Sequence, residues 1–330
     1  MALVRLKGVG LSPYELKRVD QRGVVSGTLL RCEFSSEDQK ASSLVGYSCL
    51  QTWPSLGEPR WEGLIPLLKL GEEAHRQSLL LQRCLEMAAE DAQARGQGRA
   101  LLGETVELPS SHALIWWPEP GEKSSQLSAD WLRQKVTYDF FKLKISAQQV
   151  QTEPGALKNF VESLGPEHRL RLDFNSSFRS SGEFLTWWRG VEDWLRPFVD
   201  FMEDPVDSGS LQEWQELEQA APVAADRQSE PEVLQAASIR IWKPLVHREP
   251  QSPRVVTTTN LDHPLGQAYA AFKSIKRPPE TCGLQTAHVY ERDAFSESIS
   301  YDGPRMRFCS EGLGFGFTPQ LESLDWISLD

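Results

Sequence analysis

Phe141-Lys142-Leu143-Lys144-Ile145, followed by Arg171-Leu172-Asp173-Phe174-Asn175, decides how this chain is read. Residues two apart on a β-strand share a face, so Lys142 and Lys144 point the same way, as do Arg171 and Asp173 on the next run. Two neighbouring ammonium groups are costly in a sheet that only supports structure. They suit a site where a proton is removed beside a metal-held anion.

Outward from this stretch, β-type runs alternate with helical ones from about residue 112. Tyr138 to Ile145, His168 to Phe174, Val199 to Glu203, Pro222 to Asp226, Ser238 to Lys243 and Val255 to Thr259 read as strands. Gly155 to Leu164, Ser181 to Leu195, Leu211 to Gln219, Glu230 to Ala237 and Leu265 to Ala271 read as the helices among them. Repeated units of this kind make a parallel sheet, and this many close it into a barrel. Pro244, Pro250 and Pro253 oppose a helix between Lys243 and Val255, so one barrel helix is expected to be missing or reduced to a turn. Residues 1 to about 50 read as strands, including Val24-Val25, Thr28 to Phe34 and Ser43 to Tyr47, and Trp61 to Arg95 reads as helical. The expected class is α/β: a (β/α)7β-type (modified TIM) barrel over residues 106–330, with an N-terminal α+β capping domain over residues 1–105. Gly103 to Gly121 is the expected crossing, and the C-terminal segment is a candidate to pack back on the cap.

The bulk numbers fit a globular protein: 330 residues, 40% hydrophobic, 25% charged. A net charge of −11 without a basic block argues against nucleic acid and anionic membrane as partners. Five scattered cysteines lack metal-ligand spacing and suggest reduced thiols in a cytoplasm. The first residues lack the apolar core of a signal peptide, and no apolar run reaches the ~20 residues that span a bilayer. No Gly-rich phosphate loop follows a strand. Trp116-Trp117 and Trp187-Trp188 are expected in the core, and the six histidines on the surface or in loops.

One charged residue, or a pair, ends each of five successive β-runs: Lys142 with Lys144, Asp173, Glu203, Asp226 and Lys243. Taken singly, Lys-X-Lys is usually a solvated edge, Glu-Asp-Pro a turn or helix start, and an Asp such as Asp226 a helix cap. Together, at the strand ends where barrels build their sites, they describe one constellation. Three carboxylates from adjacent strands can hold a hard divalent cation, most naturally Mg²⁺, with Mn²⁺ a substitute. Arg171 is a candidate to orient Lys144 or the substrate, or to form a structural ion pair, and Asn175 to support Asp173.

Phe-Lys142-Leu-Lys144, Arg171-Leu-Asp173-Phe-Asn175, Met-Glu203-Asp204-Pro205, Ala-Ala-Asp226 and Trp-Lys243-Pro244 resemble the signature of the enolase superfamily, in its muconate-lactonising subgroup. Thr257-Thr258-Thr259-Asn260 and the Pro264-Leu-Gly266 after it, with Cys282-Gly283-Leu-Gln285-Thr286, resemble a dehydratase branch of that subgroup. The resemblance implies that Asp173, Glu203 and Asp226 bind the metal. It implies that Lys144 takes the proton α to a carboxylate and then helps expel a hydroxyl, while Lys142 lowers its proton affinity. Lys243 would stabilise an enediolate, and Thr258, Thr259 and Asn260 would contact substrate. The implied activity is a Mg²⁺-dependent syn-dehydration of a small carboxylate in menaquinone biosynthesis. N-acylamino-acid racemisation, dipeptide epimerisation and a non-catalytic binding barrel are the alternatives. Gln285 stands where relatives often carry Asp, which speaks against the epimerase. Loops near Val19 to Val25 and Cys49 to Trp53 are expected to close the barrel mouth. Oligomeric state is left open.

Overall fold

A computed structural model describes residues 4–20, 23–36, 43–103, 106–118, 137–309 and 312–329, apart from the side chain of Glu72. The expected crossing Gly103–Gly121 and the loop Val19–Val25 lie partly outside the described residues.

Strands β1 (Val4–Lys17), β2 (Val24–Ser36) and β3 (Ser43–Gln51) form an antiparallel meander. Its β1 carries Gly8, Gly10 and Pro13, which weaken strand propensity, so the sequence pattern alone does not single it out. The helix Leu79–Gly96 lies across β3, at Gly46 so closely that a Cβ there would stand 1.9 Å from the Ala88 carbonyl oxygen. No side chain but hydrogen permits that approach.

The second unit starts with β4 (Ala113–Trp116), β5 (Phe140–Lys144), β6 (Arg169–Asp173), β7 (Val199–Glu203) and β8 (Val223–Ala224), parallel in that order. A parallel bridge between Ala225 and Arg240 joins them to β9 (Ile239–Trp242), which pairs with β10 (Arg254–Thr257). Bridges from Thr258 to Gly283 and from Cys282 to Ser111 return the ring to β4. The sheet therefore closes into the expected barrel. Cys282–Gly283 serves as its last stave, too short to register as a strand from sequence. Between Lys243 and Val255 no helix forms, as the three prolines require.

Pleating sorts the barrel side chains. Phe141, Leu143, Leu170, Leu172 and Met202 face outward into a core shared with the helices Pro154–Leu164, Ser181–Leu195 and Leu211–Ala220. Two of those helices start on serine caps: Ser180 accepts from the Glu183 N–H and Ser210 from the Glu213 N–H. Facing inward, Phe201, Ala224, Ile241 and Val256 pack into an apolar floor. Beneath the mouth Arg171, fully buried, donates to Asp200 (2.8 Å), Glu280 (3.1 Å) and the Thr281 carbonyl (2.8 Å). Arg254 bridges the same two carboxylates.

β11 (Ile299–Asp302) and β12 (Arg305–Phe308) make a hairpin, and β13 (Ile327–Ser328) pairs antiparallel with β1. Leu29, Leu30, Cys84 and Met87 of the first unit share one core with Leu265, Tyr269, Phe315 and Phe317. Asp262 is buried at this junction; a Cβ on Gly266 would lie 2.7 Å from its carboxyl carbon and 2.8 Å from Cys49 Sγ. Its Oδ1 has no hydrogen-bond partner among the described residues, and burial pushes its pKa up to about 7. The folded state thus holds a proton that the unfolded chain releases near pH 4. Its stabilisation is complete below about pH 4 and lost as pH rises through about 7. Thermal unfolding should show a smaller drop in Tm from pH 5 to pH 8 in Asp262→Asn than in the parent.

Burial corrects two expectations. His112, His168 and His263 do lie in connecting segments, but they and His75 are buried rather than on the surface. His75 bonds the Leu68 carbonyl through Nε2 (3.2 Å), and His263 caps the helix Pro264–Ser274 by accepting the Leu265 N–H. His247 is half-buried and His288 exposed. Trp117, Trp187 and Trp188 are core residues as expected, but Trp116 points into the barrel mouth.

Candidate active site

Above the apolar floor, the next inward position on successive staves is polar. Phe201 gives way to Glu203, Ala224 to Asp226, Ile241 to Lys243 and Val256 to Thr258, each two residues further. On β5 and β6 the same step runs from Lys142 to Lys144 and from Arg171 to Asp173. A two-residue period therefore sets one polar ring at the carboxyl ends of the strands, around a cavity of about 320 Å³.

The structure brings the five-strand constellation together. Lys142 donates to both oxygens of Glu203 (2.8 and 2.6 Å) and lies 3.0 Å from Asp173. Lys144 donates to Asp173 at 2.6 Å and sits 5.5 Å from the centre of the Trp116 ring. Lys243 pairs with Asp226. Three staves separate Lys144 from Lys243 by way of β6, β7 and β8; β10, Cys282–Gly283 and β4 separate them the other way. The two ammonium groups therefore come from opposite sides of the barrel, and all three carboxylates lie on one arc between them.

Charge crowding shows in the ionisation of these groups. Burial opposes the charge of Asp173, yet Lys142 and Lys144 hold its pKa well below the usual carboxylate range, and Lys243 does the same for buried Asp226. Glu203 goes the other way: burial and the Asp173 charge push its pKa up to about 7. Burial disfavours the Lys142 charge, but Asp173 and Glu203 outweigh it and raise that pKa. Burial lowers the pKa of Lys243.

Would this donor set fit a divalent cation? The oxygens are hard ligands on consecutive staves, and the buried Oδ1 of Asp226 has no partner among the described residues. A cation would also relieve the repulsion that raises Glu203. The lysines now hold these oxygens. Among the described residues no three His, Cys, Asp or Glu side chains converge tightly enough to form a metal centre by themselves. The residues fit the ion in chemistry and place, with ammonium groups as its competitors.

Supporting residues divide. The backbone N–H of Asn175, at φ 46°, donates to Asp173 Oδ1 at 3.2 Å, so Asn175 steadies that carboxylate through its backbone while its side chain lines the cavity. Arg171 takes the structural option: its partners are Asp200, Glu280, Thr281 and His112, and it orients neither Lys144 nor Asp173. Thr258, Thr259 and Asn260 all line the cavity, and Thr259 is hydrogen-bonded to Thr286 (2.8 Å). Gln285 turns away, bonded to Tyr138 and the Gly303 carbonyl.

Several residues at the mouth are not singled out by the sequence pattern. Asp204 adopts φ 39° and accepts from the backbone N–H groups of Asp226 (3.0 Å) and Arg227 (2.7 Å), which fixes the loop carrying Asp226. Arg227 donates to Glu58 and to Asn260 Oδ1, tying the cap to the barrel. Trp53 donates through Nε1 to the Asn260 carbonyl (2.9 Å), so the expected Cys49–Trp53 loop does reach the mouth. Arg18 stacks on Trp116 at 4.6 Å. His112 lines the cavity from below; it shares the parity of Leu114 and Trp116, a signal that the alternation of Ser111 to Trp117 contains.

A closed (β/α) barrel with a meander-and-helix cap, and a lysine–carboxylate ring at its mouth, defines a class of proton-abstracting barrel enzymes. The chain belongs to the enolase superfamily. The family model described as O-succinylbenzoate synthase, N-terminal domain, matches residues 11–94, and Enolase C-terminal domain-like matches residues 126–238. A curated o-succinylbenzoate synthase from Bdellovibrio bacteriovorus is 23% identical over 350 aligned positions, covering 97% of this chain and 98% of that protein. Among solved structures, a muconate lactonizing enzyme from Pseudomonas fluorescens complexed with muconolactone superposes with TM-score 0.70 at 15% identity, covering 98% of each chain. An enolase-superfamily member from Roseovarius nubinhibens gives TM-score 0.72 at 13% identity, covering 99% of this chain and 97% of that one. These two likenesses concern the fold.

Proposed function

We propose that this protein is an o-succinylbenzoate synthase, converting 2-succinyl-6-hydroxy-2,4-cyclohexadiene-1-carboxylate to 2-succinylbenzoate and water in menaquinone biosynthesis. The observation that carries the reading is the placement of Lys144 and Lys243 on opposite sides of one cavity, with three carboxylates on the arc between. The relative from Bdellovibrio bacteriovorus and the matching N-terminal domain model support the choice of substrate.

Asp173, Glu203 and Asp226 would hold a divalent cation, Mg²⁺ on the strength of the all-oxygen donor set, with Mn²⁺ able to replace it. When bound, that ion supplies Lewis-acid stabilisation of negative charge on the substrate carboxylate. The chain's own groups do the rest. Lys144 Nζ removes the proton α to the carboxylate, and the same group returns it to the departing hydroxyl, so both events occur on one face of the ring and elimination is syn. Lys142, on the same face of its strand, keeps Glu203 and Asp173 in place beside Lys144. Lys243, across the cavity, presents its ammonium to the enediolate. Trp53, Leu56 and Arg18 line the mouth, where closing over bound substrate would keep water out.

The test is an ultraviolet assay of the purified protein with that cyclohexadiene carboxylate, in Mg²⁺ and in EDTA. Metal-dependent appearance of 2-succinylbenzoate is expected. No turnover with Mg²⁺ overturns the substrate assignment, and α-proton exchange of N-acylamino acids in D₂O would then identify a racemase. Asp226→Asn should weaken Mg²⁺ binding by at least about tenfold, because a ligand charge is lost; calorimetric titration reads it. Unchanged affinity would remove Asp226 from the metal site.

A further inference from the structure

Opposite the three carboxylates, the part of the wall that lines the cavity from β10, Cys282–Gly283 and β4 carries no charged side chain among the described residues, yet it is polar. The imidazole of His112 is buried there. Its Nδ1 lies 3.1 Å from Nη1 of Arg171. A guanidinium only donates, so Nδ1 must accept and carries no proton. The proton of a neutral ring then sits on Nε2. Burial, and the positive charge of Arg171 after it, keep His112 neutral by holding its pKa well below the ordinary value.

The ring edge that bears Nε2 rests against Gly283. A Cβ on Gly283 would be 2.7 Å from His112 Cε1, 2.9 Å from Nε2 and 2.9 Å from Thr258 Cγ2. Glycine thus leaves the space in which His112 and Thr258 stand side by side. Nε2 has no hydrogen-bond partner among the described residues. Thr258 Oγ1 is buried and also unpartnered among them. The buried Thr258 hydroxyl is costly to leave unpaired, and beside it His112 Nε2–H is available to an acceptor in the cavity that both residues line.

We propose that His112 Nε2–H and the Thr258 hydroxyl form a two-point subsite that binds an acceptor oxygen of the substrate, on the side remote from Asp173, Glu203 and Asp226. Arg171 is a positioning residue here, fixing the tautomer through Nδ1. The subsite takes the uncharged wall of the barrel as an orienting surface for a small carboxylate. It rests on the dehydratase reading above.

The test compares His112→Asn, His112→Gln and Thr258→Val with the parent, by steady-state turnover, by fluorescence titration with 2-succinylbenzoate and by thermal unfolding. Asn keeps an oxygen for Arg171 near the place of Nδ1 but withdraws the donor from the cavity. Gln can set an amide N–H near the place of Nε2. His112→Asn is expected to raise KM and the product Kd about tenfold with little change in Tm, Thr258→Val to do so less, and His112→Gln to recover most of the loss. Unchanged KM and product binding in His112→Asn overturn the subsite. Equal losses in the Asn and Gln variants, accompanied by a lowered Tm, overturn it too, since a purely packing role would give that pattern. Parent turnover judges the dehydratase reading on its own, whereas the variant-to-parent ratio of product binding judges His112. A parent that neither turns over nor binds the product overturns both.

Discussion

Lys144→Ala is expected to lower kcat by about 10²- to 10⁴-fold, the span for losing a positioned acid–base group, and to leave Mg²⁺ affinity close to the parent's. Lys144 touches Asp173 at 2.6 Å, but that carboxylate also lies 3.0 Å from Lys142. Removing Lys144 therefore leaves Asp173 partnered and the carboxylate arc intact. The cation competes with one ammonium fewer, so its binding should be unchanged or slightly tighter. The proton at the α carbon, in contrast, loses its acceptor. Lys243 cannot substitute, because it approaches from the opposite side of the barrel and would reach the other face of the ring. Single-turnover kinetics with the cyclohexadiene carboxylate, beside a calorimetric Mg²⁺ titration, give both numbers. Near-normal turnover in Lys144→Ala would sink its assignment as the base.

Arg171→Met is the second large effect, and it falls on stability. The guanidinium is fully buried, sandwiched 4.8 Å from the ring centres of both Phe140 and Phe201, and it satisfies Asp200, Glu280 and the Thr281 carbonyl. Methionine fills part of the volume but leaves two carboxylates facing one remaining cation, Arg254. Breaking a buried ion network from one side costs about 3–5 kcal/mol. Urea unfolding should show a loss at the lower end of that span, because Arg254 persists and Glu280 is a fifth exposed. A loss within ~0.5 kcal/mol, the usual range for a neutral surface change, would mean the network contributes no net stability.

Much of the barrel is legible in the sequence because its information is local. Val199–Glu203 and Ser181–Leu195 stand where the alternation of β-formers and the amphipathic period put them. The lysines and acids fall at the carboxyl ends of their strands, and side-chain parity alone places them in one ring. What escapes is set by distant partners. Arg171 has the same parity as Asp173, so the sequence leaves an orienting and a structural role equally open, but Asp200 and Glu280 draw it into the floor. His112 has no motif around it; its meaning comes from Arg171 and Gly283, far away in the chain. Trp116 reads as core with Trp117, although alternation sends the two to opposite faces. The closing stave at Cys282–Gly283 is a two-residue bridge with no β-rich run to announce it.

The core shared between β2, β3 and the helix Leu79–Gly96 on one side, and Leu265, Tyr269, Phe315 and Phe317 on the other, has a consequence for synthesis on the ribosome. The meander emerges early and meets the helix Leu79–Gly96 soon after, but the second wall, from Leu265 onward, is made only much later. Until then part of its apolar face waits, exposed to chaperones, and the pairing of Ile327 with Leu11 can form only once that distant stretch has been made. Such distant contacts slow folding. A chain cut short before Phe315 would therefore lose the cap, the part made first, rather than the part nearest the cut.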